Sequence, residues 1–143
     1  MLWMAAALAG TPPGEVWDAL VKGGCEVEAI HTPFEARVLR NVPYARGGHP
    51  FKTPELVAFF TKNGGYTKKE PVALEGAALA CVKKLKDREA ALQKTVPMST
   101  ALQNRLLANL DAWNAFQMWG SNEGGKSPYD KVTSTDLKWS SEY

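Results

Sequence analysis

Three stretches of this sequence begin with a Thr-Pro pair and end with a Gly-Gly pair: "TPPGEVWDALVKGG", "TPFEARVLRNVPYARGG" and "TPELVAFFTKNGG". A threonine hydroxyl can accept a hydrogen bond from the first turn of a helix, and proline suits the first helical position, where its missing N–H would have no partner. Glycine commonly ends a helix in the left-handed conformation. In the second stretch Glu35 stands three residues after Thr32, the spacing of a capping box. Each stretch is therefore predicted to be one helix, with Thr32 and Thr53 capping the second and third.

Two further helices are predicted in the second half of the chain. From about Leu74 to Lys94, apolar residues recur at spacings of four and three, which is typical of a helix with one buried face. This stripe comprises Leu74, Ala78, Cys81, Leu85 and Leu92. The stretch "PMSTALQNRLLANLDAWNAFQMW" has apolar residues at nearly every turn, and Thr100 with Gln103 offers another capping box. No stretch alternates convincingly with the period of a half-buried strand. The predicted class is all-α, a small bundle of about five helices.

The length of 143 residues is that of one domain. We predict a single helical domain over residues 11–119 and a polar, irregular tail over 120–143, either docked on the helices or disordered. Residues 1–10, "MLWMAAALAG", are interpreted as the remnant of a signal peptide because an apolar run ends in small residues, although no Lys or Arg precedes it. The alternative is an apolar helix packed on the domain. The run is far too short to span a bilayer, so no transmembrane span is predicted.

The two cysteines, Cys25 and Cys81, lie 56 positions apart and belong to no Cys-x-x-Cys or Cys/His metal signature. If the chain is exported they could form a disulfide, which would stabilise the fold by about 4 kcal/mol in the chain-entropy model. Otherwise they are two buried thiols that act as small apolar side chains. The sequence leaves both interpretations open.

Composition and motifs argue against several function classes. The formal net charge is +2, too small to indicate a nucleic-acid partner. Neither of the two histidines, His31 and His49, has a second metal-binding residue at helical spacing, so no metal site is predicted. No nucleotide-binding or serine-hydrolase fingerprint occurs, so no cofactor and no catalytic residue are predicted. A small hydrolase that uses His49, or Cys25 with His31 as its base, is kept as an alternative, but nothing in the sequence supplies the activating environment that a thiol needs.

The stretch "NVPYARGGHPFKTPELVAFF", residues 41–60, joins the second and third helices. Asn41 falls on the core-facing line of its helix, so its amide is predicted to bond to the backbone of the following loop. Pro43 should kink or restart the last helical turn. Gly47 and Gly48 can end that turn in the left-handed conformation, and Phe51 should anchor the loop in the core.

The same residues carry a family resemblance. "LRNVPYARGGHPFKTPELVAFF" resembles the YARHG domain, a small module presumed extracellular in bacteria and named for a Tyr-Ala-Arg-His-Gly motif. Over residues 33–90 the matching positions are Leu39, Arg40, Asn41, Tyr44, Ala45, Arg46, Gly48, Phe51, Lys52, Glu55, Leu56, Phe60 and Tyr66. The chain departs from the pattern at Pro43, at Gly65 and at Gly47, which stands where the motif has histidine. The resemblance implies a domain appended to bacterial envelope proteins for binding or interaction, with no activity to carry over.

Two interpretations of the motif side chains follow. In the structural one, Tyr44 packs with its hydroxyl bonded locally and Arg46 pairs with Glu55 or caps carbonyls at a helix end. In the functional one, Arg40, Tyr44, Arg46 and His49 form a basic, aromatic-lined notch for a carboxylate- or glycan-bearing envelope ligand, because arginine offers forked donors and tyrosine a flat stacking surface.

The sequence and the resemblance together predict a non-catalytic, exported protein of the bacterial envelope that acts as a binding or interaction module. Its expected location is extracytoplasmic, and its partner is a protein or a cell-envelope component. An alternative is a subunit or inhibitor of a secreted or surface assembly, because the aromatic-rich last helix and tail could dock on another protein. The oligomeric state is left open.

Overall fold

The computed structural model describes residues 11–109 and Trp113. Over these residues the chain has five α-helices and no strand, so the all-α prediction is confirmed. The helices are α1 (Pro13–Lys22), α2 (Pro33–Arg46), α3 (Pro54–Gly64), α4 (Gly76–Thr95) and α5 (Thr100–Ala108). A short 3-10 turn, Val27–Ala29, precedes α2 and was not predicted. Residues 1–10 and 120–143, for which a leader and a tail are predicted, lie outside the described residues.

The helices begin where the Thr-Pro pattern predicts, but the threonine side chain does not always make the capping hydrogen bond. The Thr32 hydroxyl accepts a hydrogen bond from the Glu35 N–H at 3.2 Å, which confirms the cap of α2. Thr53 occupies the N-cap position of α3, yet its side chain makes no capping bond. At α5 the predicted cap is wrong by one residue, because the Ser99 hydroxyl accepts from the Leu102 N–H at 3.0 Å and Thr100 is already helical.

Three glycines at helix boundaries have a positive φ. Gly24, after α1, and Gly65, after α3, have φ of +87° and +63°, a region that other residues avoid. Gly76, with φ of +64°, opens α4 two residues later than the predicted start at Leu74.

Helix α2 is the centre of the bundle and packs on α1, α3 and α4, while α5 packs on α3. Its core face includes Phe34, Val38 and Leu39, all fully buried. The predicted stripe of α4 is buried at Cys81, Leu85 and Leu92. The buried side chains of all five helices form one hydrophobic cluster, which Trp113 also joins. The indole N–H of Trp113 donates to the Thr11 carbonyl at 2.8 Å and thereby ties the start of the described chain to its end.

No helix within residues 11–109 and Trp113 has the length and hydropathy needed to cross a membrane.

Candidate functional site

The Tyr44-Ala45-Arg46 part of the motif forms the end of α2, and the corner between α2 and α3, Gly47 to Phe51, follows it. Helix α2 continues through Pro43 to Arg46, so it does not restart there, and the kink that was the other predicted form stays a prediction. The Gly47 N–H reaches the Pro43 carbonyl at 3.3 Å, and the Gly48 N–H reaches the Ala45 carbonyl at 3.0 Å. Gly47 remains near the helical region, whereas Gly48 has φ of +80°, so the left-handed residue of the pair is Gly48.

Asn41 satisfies its amide within the helix. Its Nδ2 donates to the Arg37 carbonyl at 2.8 Å, one turn back, and not to the following loop as predicted. That carbonyl is within reach because residues four apart share one helix face. Asn41 therefore belongs to α2 and not to the corner.

The connecting segment, residues 65–75 between α3 and α4, lies directly on the corner. Three hydrogen bonds hold it there. The Lys69 N–H donates to the Gly48 carbonyl at 2.7 Å, the Tyr66 hydroxyl donates to the His49 carbonyl at 2.8 Å, and the Val72 N–H donates to His49 Nδ1 at 3.1 Å. Apart from Tyr66, which the resemblance includes, none of these segment residues was singled out from the sequence, since an irregular segment has no periodic signal.

The glycine pair leaves room for this contact. A Cβ atom on Gly47 would lie 2.5 Å from Cγ2 of Val72, and one on Gly48 would lie 2.5 Å from the Thr67 carbonyl oxygen. Both separations are far below ordinary van der Waals contact. The position where the motif has histidine is thus filled, in this chain, by the side chain of Val72.

Aromatic rings line the underside of the corner. The His49 ring packs edge-on between Tyr44, at 5.3 Å between centroids, and Phe51, at 5.6 Å. Phe51 stacks on Phe60 of α3 at 5.9 Å and contacts Tyr66 at 5.6 Å, so it anchors the loop on the core. Among the described residues the Tyr44 hydroxyl has no hydrogen-bond partner, so the local bond predicted for it is not seen.

Arg46 faces α1. Its Nη1 and Nη2 donate to the two carboxylate oxygens of Asp18 at 2.6 and 2.8 Å, and Nη2 also donates to the Gly14 carbonyl at 3.0 Å. The predicted partner Glu55 was wrong, because Arg46 lies on the side of α2 that packs on α1. The hydrogen bonds from Arg46 lower the pKa of Asp18, and those to Asp18 raise the pKa of Arg46. Both side chains stay about half exposed, at 49% and 59%.

Arg40 faces α4. Its Nε donates to Glu89 at 2.6 Å, and the two side chains are 24% and 17% exposed. One turn earlier, Arg37 donates to the Asn104 side chain of α5 at 2.8 Å, and burial, followed by the nearby Arg40, lowers the pKa of Arg37. The four residues of the predicted notch are therefore divided among three surroundings: Arg40 against α4, Arg46 against α1, and Tyr44 with His49 under the corner. The structure does not bring them together in one notch, and ligand binding by any of them stays a prediction.

A groove of about 200 Å³ runs beside Arg46. Its lining includes the buried apolar side chains of Val42, Ala45 and Phe60. Arg46 and Glu15 stand at its rim. Of the predicted notch, Arg46 lines this groove.

The cysteines form a disulfide. Cys25, between α1 and the 3-10 turn, is bonded to Cys81 of α4, with their Cα atoms 5.6 Å apart. Both are buried, at 7% and 1% exposure. Next to this bridge, Arg88 of α4 donates twice to the Ile30 carbonyl, at 3.1 and 3.0 Å. The stretch before α2 is therefore held on α4 by a covalent bond and by a charged side chain.

The capping glutamate of α2 is buried in that same region. Glu35 is 6% exposed, and its carboxylate accepts from the His31 N–H and the Thr32 hydroxyl, both at 3.3 Å. Burial outweighs these donors and raises the pKa of Glu35 to about 8. Burial also lowers the pKa of His31, and the Arg88 charge lowers it further. The capping-box spacing predicted the location of Glu35 but gave no sign of its burial.

Residues 29–96 match the sequence model of the YARHG domain. This chain contains a YARHG domain. The match begins in the 3-10 turn and ends just after α4, so the domain holds α2, the corner, α3, the connecting segment and α4. It is wider at both ends than the resemblance over 33–90. No curated protein and no solved structure matches the chain significantly. In the part of the chain that the structure describes, no group of three or more His, Cys, Asp or Glu side chains could hold a metal ion.

Proposed function

We propose that this protein is a non-catalytic, exported module of the bacterial envelope whose YARHG domain binds a protein or a cell-envelope component. The observation that carries the proposal is the Cys25–Cys81 disulfide. Disulfides persist in oxidising compartments outside the cytoplasm and are rare inside it. The bridge joins the stretch that precedes the YARHG domain to α4, the last helix of that domain.

The same bridge argues against the hydrolase alternative. A cysteine nucleophile must be a thiolate, and Cys25 is committed to Cys81. His49 Nδ1 already accepts the Val72 N–H, and both neighbours of its ring are aromatic. The alternative of an assembly subunit or inhibitor depends mainly on residues beyond Asn109, so no described contact favours it.

The groove beside Arg46 is the surface at which binding is best sought. An exposed ion pair contributes at most about 1 kcal/mol, so a ligand carboxylate can displace Asp18 from Arg46 at little cost. The buried apolar residues that line the groove with Arg46, namely Val42, Ala45 and Phe60, would contact the uncharged part of such a ligand. Of the four residues predicted to form a notch for a carboxylate-bearing ligand, we therefore propose that Arg46 binds the carboxylate, and not all four together.

Export is tested by expressing the full chain in a bacterial host and fractionating the cells. The intact mass of the product from the periplasm or medium should be that of a chain lacking two hydrogens. A reduced, cytoplasmic product would overturn the proposed location.

Binding is tested by retention of the oxidised protein on purified cell walls, with an unrelated basic protein of similar size as the background. We expect retention that falls in Arg46→Gln but not in Lys94→Gln, a matched loss of charge on the exposed end of α4. Equal retention of both variants would move the binding surface away from the groove. No retention of the folded wild type would remove the cell wall as the partner.

A further inference from the structure

We propose that His49 is a proton-sensitive latch that holds the connecting segment on the corner. Of the three hydrogen bonds between them, two use backbone carbonyls as acceptors, those of Gly48 and His49. The third uses the ring nitrogen Nδ1 of His49 as the acceptor for the Val72 N–H. An imidazole nitrogen accepts a hydrogen bond only when it carries no proton.

Neutral His49 therefore has its proton on Nε2. A second proton can be added only at Nδ1, which would place two N–H groups opposite each other at the present 3.1 Å separation. The bond would be replaced by a repulsion, and the ring or the segment would have to move. Among side chains, imidazole is the one whose charge ordinarily changes between about pH 5 and 8.

The side chains that pack around His49 are aromatic or basic. The titratable side chains that face His49 or pack on the corner beside it are Tyr44 from α2 and Tyr66 and Lys69 from the segment. No carboxylate among the described residues makes a hydrogen bond or ion pair with His49. Because Val72 also fills the space above Gly47, loss of its anchor would withdraw its side chain from the glycine pair. Protonation of one ring thus opens the surface of the motif without unfolding α2 or α4.

This latch is independent of the ligand proposed for Arg46. It is tested by amide hydrogen exchange of the full, oxidised chain at about pH 8 and about pH 5, which bracket the titration of an ordinary imidazole. We expect the protection factor of Val72 to fall by about tenfold at the lower pH, the effect of losing one hydrogen bond. The amides of Leu39 and Leu85, in the cores of α2 and α4, should stay protected and show that the bundle remains folded.

Two variants and one control isolate the ring. His49→Asn keeps an oxygen acceptor at the place of Nδ1 but cannot titrate, so Val72 should stay protected at both pH values. His49→Phe keeps a ring but has no hydrogen-bond acceptor, so the Val72 amide should lack protection at both pH values. His31→Asn, which alters the other histidine, should keep the wild-type response. Persistence of the pH response in His49→Asn would overturn the latch, as would unchanged protection of Val72 in a wild type whose His49 is protonated by NMR.

Discussion

Gly48 allows the connecting segment to pack directly on the corner, because it has no side chain. Its backbone has a positive φ, and the carbonyl of Thr67 occupies the place where a side chain would begin. The first property favours glycine anywhere, whereas the second is specific to this contact. A glycine at position 48 is therefore required by packing as well as by φ.

These two effects can be separated by paired alanine substitutions. Gly65→Ala, at a positive φ with nothing within 4 Å of the new Cβ, should lose about 1–2 kcal/mol of unfolding free energy. Gly48→Ala should lose about 1–3 kcal/mol more, because its Cβ would press on the Thr67 carbonyl. Urea unfolding of both variants gives the comparison. Equal losses of unfolding free energy in the two variants would mean that the connecting segment moves away from the new Cβ atom at no cost.

Glu35 makes the stability depend on pH. Its pKa rises from an ordinary 4.5 to about 8 in the folded state, so the native protein holds this proton more tightly than the unfolded chain does. The stabilisation is complete below pH 4.5 and is lost as the pH rises towards 8. We expect the unfolding free energy to fall across this range by an amount on the order of a few kcal/mol.

Glu35→Gln supplies the matched measurement. The amide keeps an oxygen for the His31 and Thr32 donors but cannot ionise, so urea unfolding at pH values from 5 to 9 should lose most of this slope. Glu28→Gln, in the exposed 3-10 turn, is the control and should keep the wild-type slope. A wild-type slope in Glu35→Gln would show that Glu35 is not responsible.

At the scale of helices, two arginines of α2 join it to different neighbours. Arg46 pairs with Asp18 of α1 at about half exposure, so Arg46→Ala should cost no more than about 1 kcal/mol. Arg40 pairs with Glu89 of α4 and is less exposed, so Arg40→Ala should cost more, about 1–3 kcal/mol, since Glu89 would lose its partner. Thermal and urea unfolding rank the two. The reverse order would mean that the α1–α2 contact contributes more than its exposure suggests.

The disulfide joins two parts of the chain that are far apart in the sequence, the stretch before α2 and helix α4. Closing a loop of 56 residues should contribute about 4 kcal/mol, so the reductant-treated protein should unfold at lower urea by that free energy. The double variant Cys25→Ser and Cys81→Ser should show the same lower stability with and without reductant. A wild type that is equally stable in both forms would remove the bridge as a stabilising element.

The rules for helix caps and apolar periodicity predicted the helices, but they did not predict which side chains bond between one element and another. The cap at Thr32 was predictable because both atoms of the bond lie within four residues, and the burial of Cys81 followed from the helical period. The Asp18 partner of Arg46 is 28 residues distant, and the contacts of Lys69 and Val72 come from a segment with no period. Such pairings are decided by how helices pack, which one sequence does not display.

At the scale of the described chain, Trp113 links Thr11, ahead of α1, to the hydrophobic core. Trp113→Phe would remove the indole N–H that bonds the Thr11 carbonyl while keeping a ring in the core, and should cost about 0.5–1.5 kcal/mol. Trp113→Ala, which also leaves a cavity, should cost about 3–5 kcal/mol. Chemical unfolding gives both values. A Trp113→Ala variant as stable as wild type would mean that Trp113 adds nothing to the stability of the bundle.

The meeting of Thr11 with Trp113 has a consequence for architecture. Two residues 102 positions apart in the sequence are one hydrogen bond apart in space, so the backbone ahead of α1 and the backbone beyond α5 meet at one place on the bundle. A spectroscopic probe attached beside Thr11 or beside Trp113 would therefore sample the same neighbourhood.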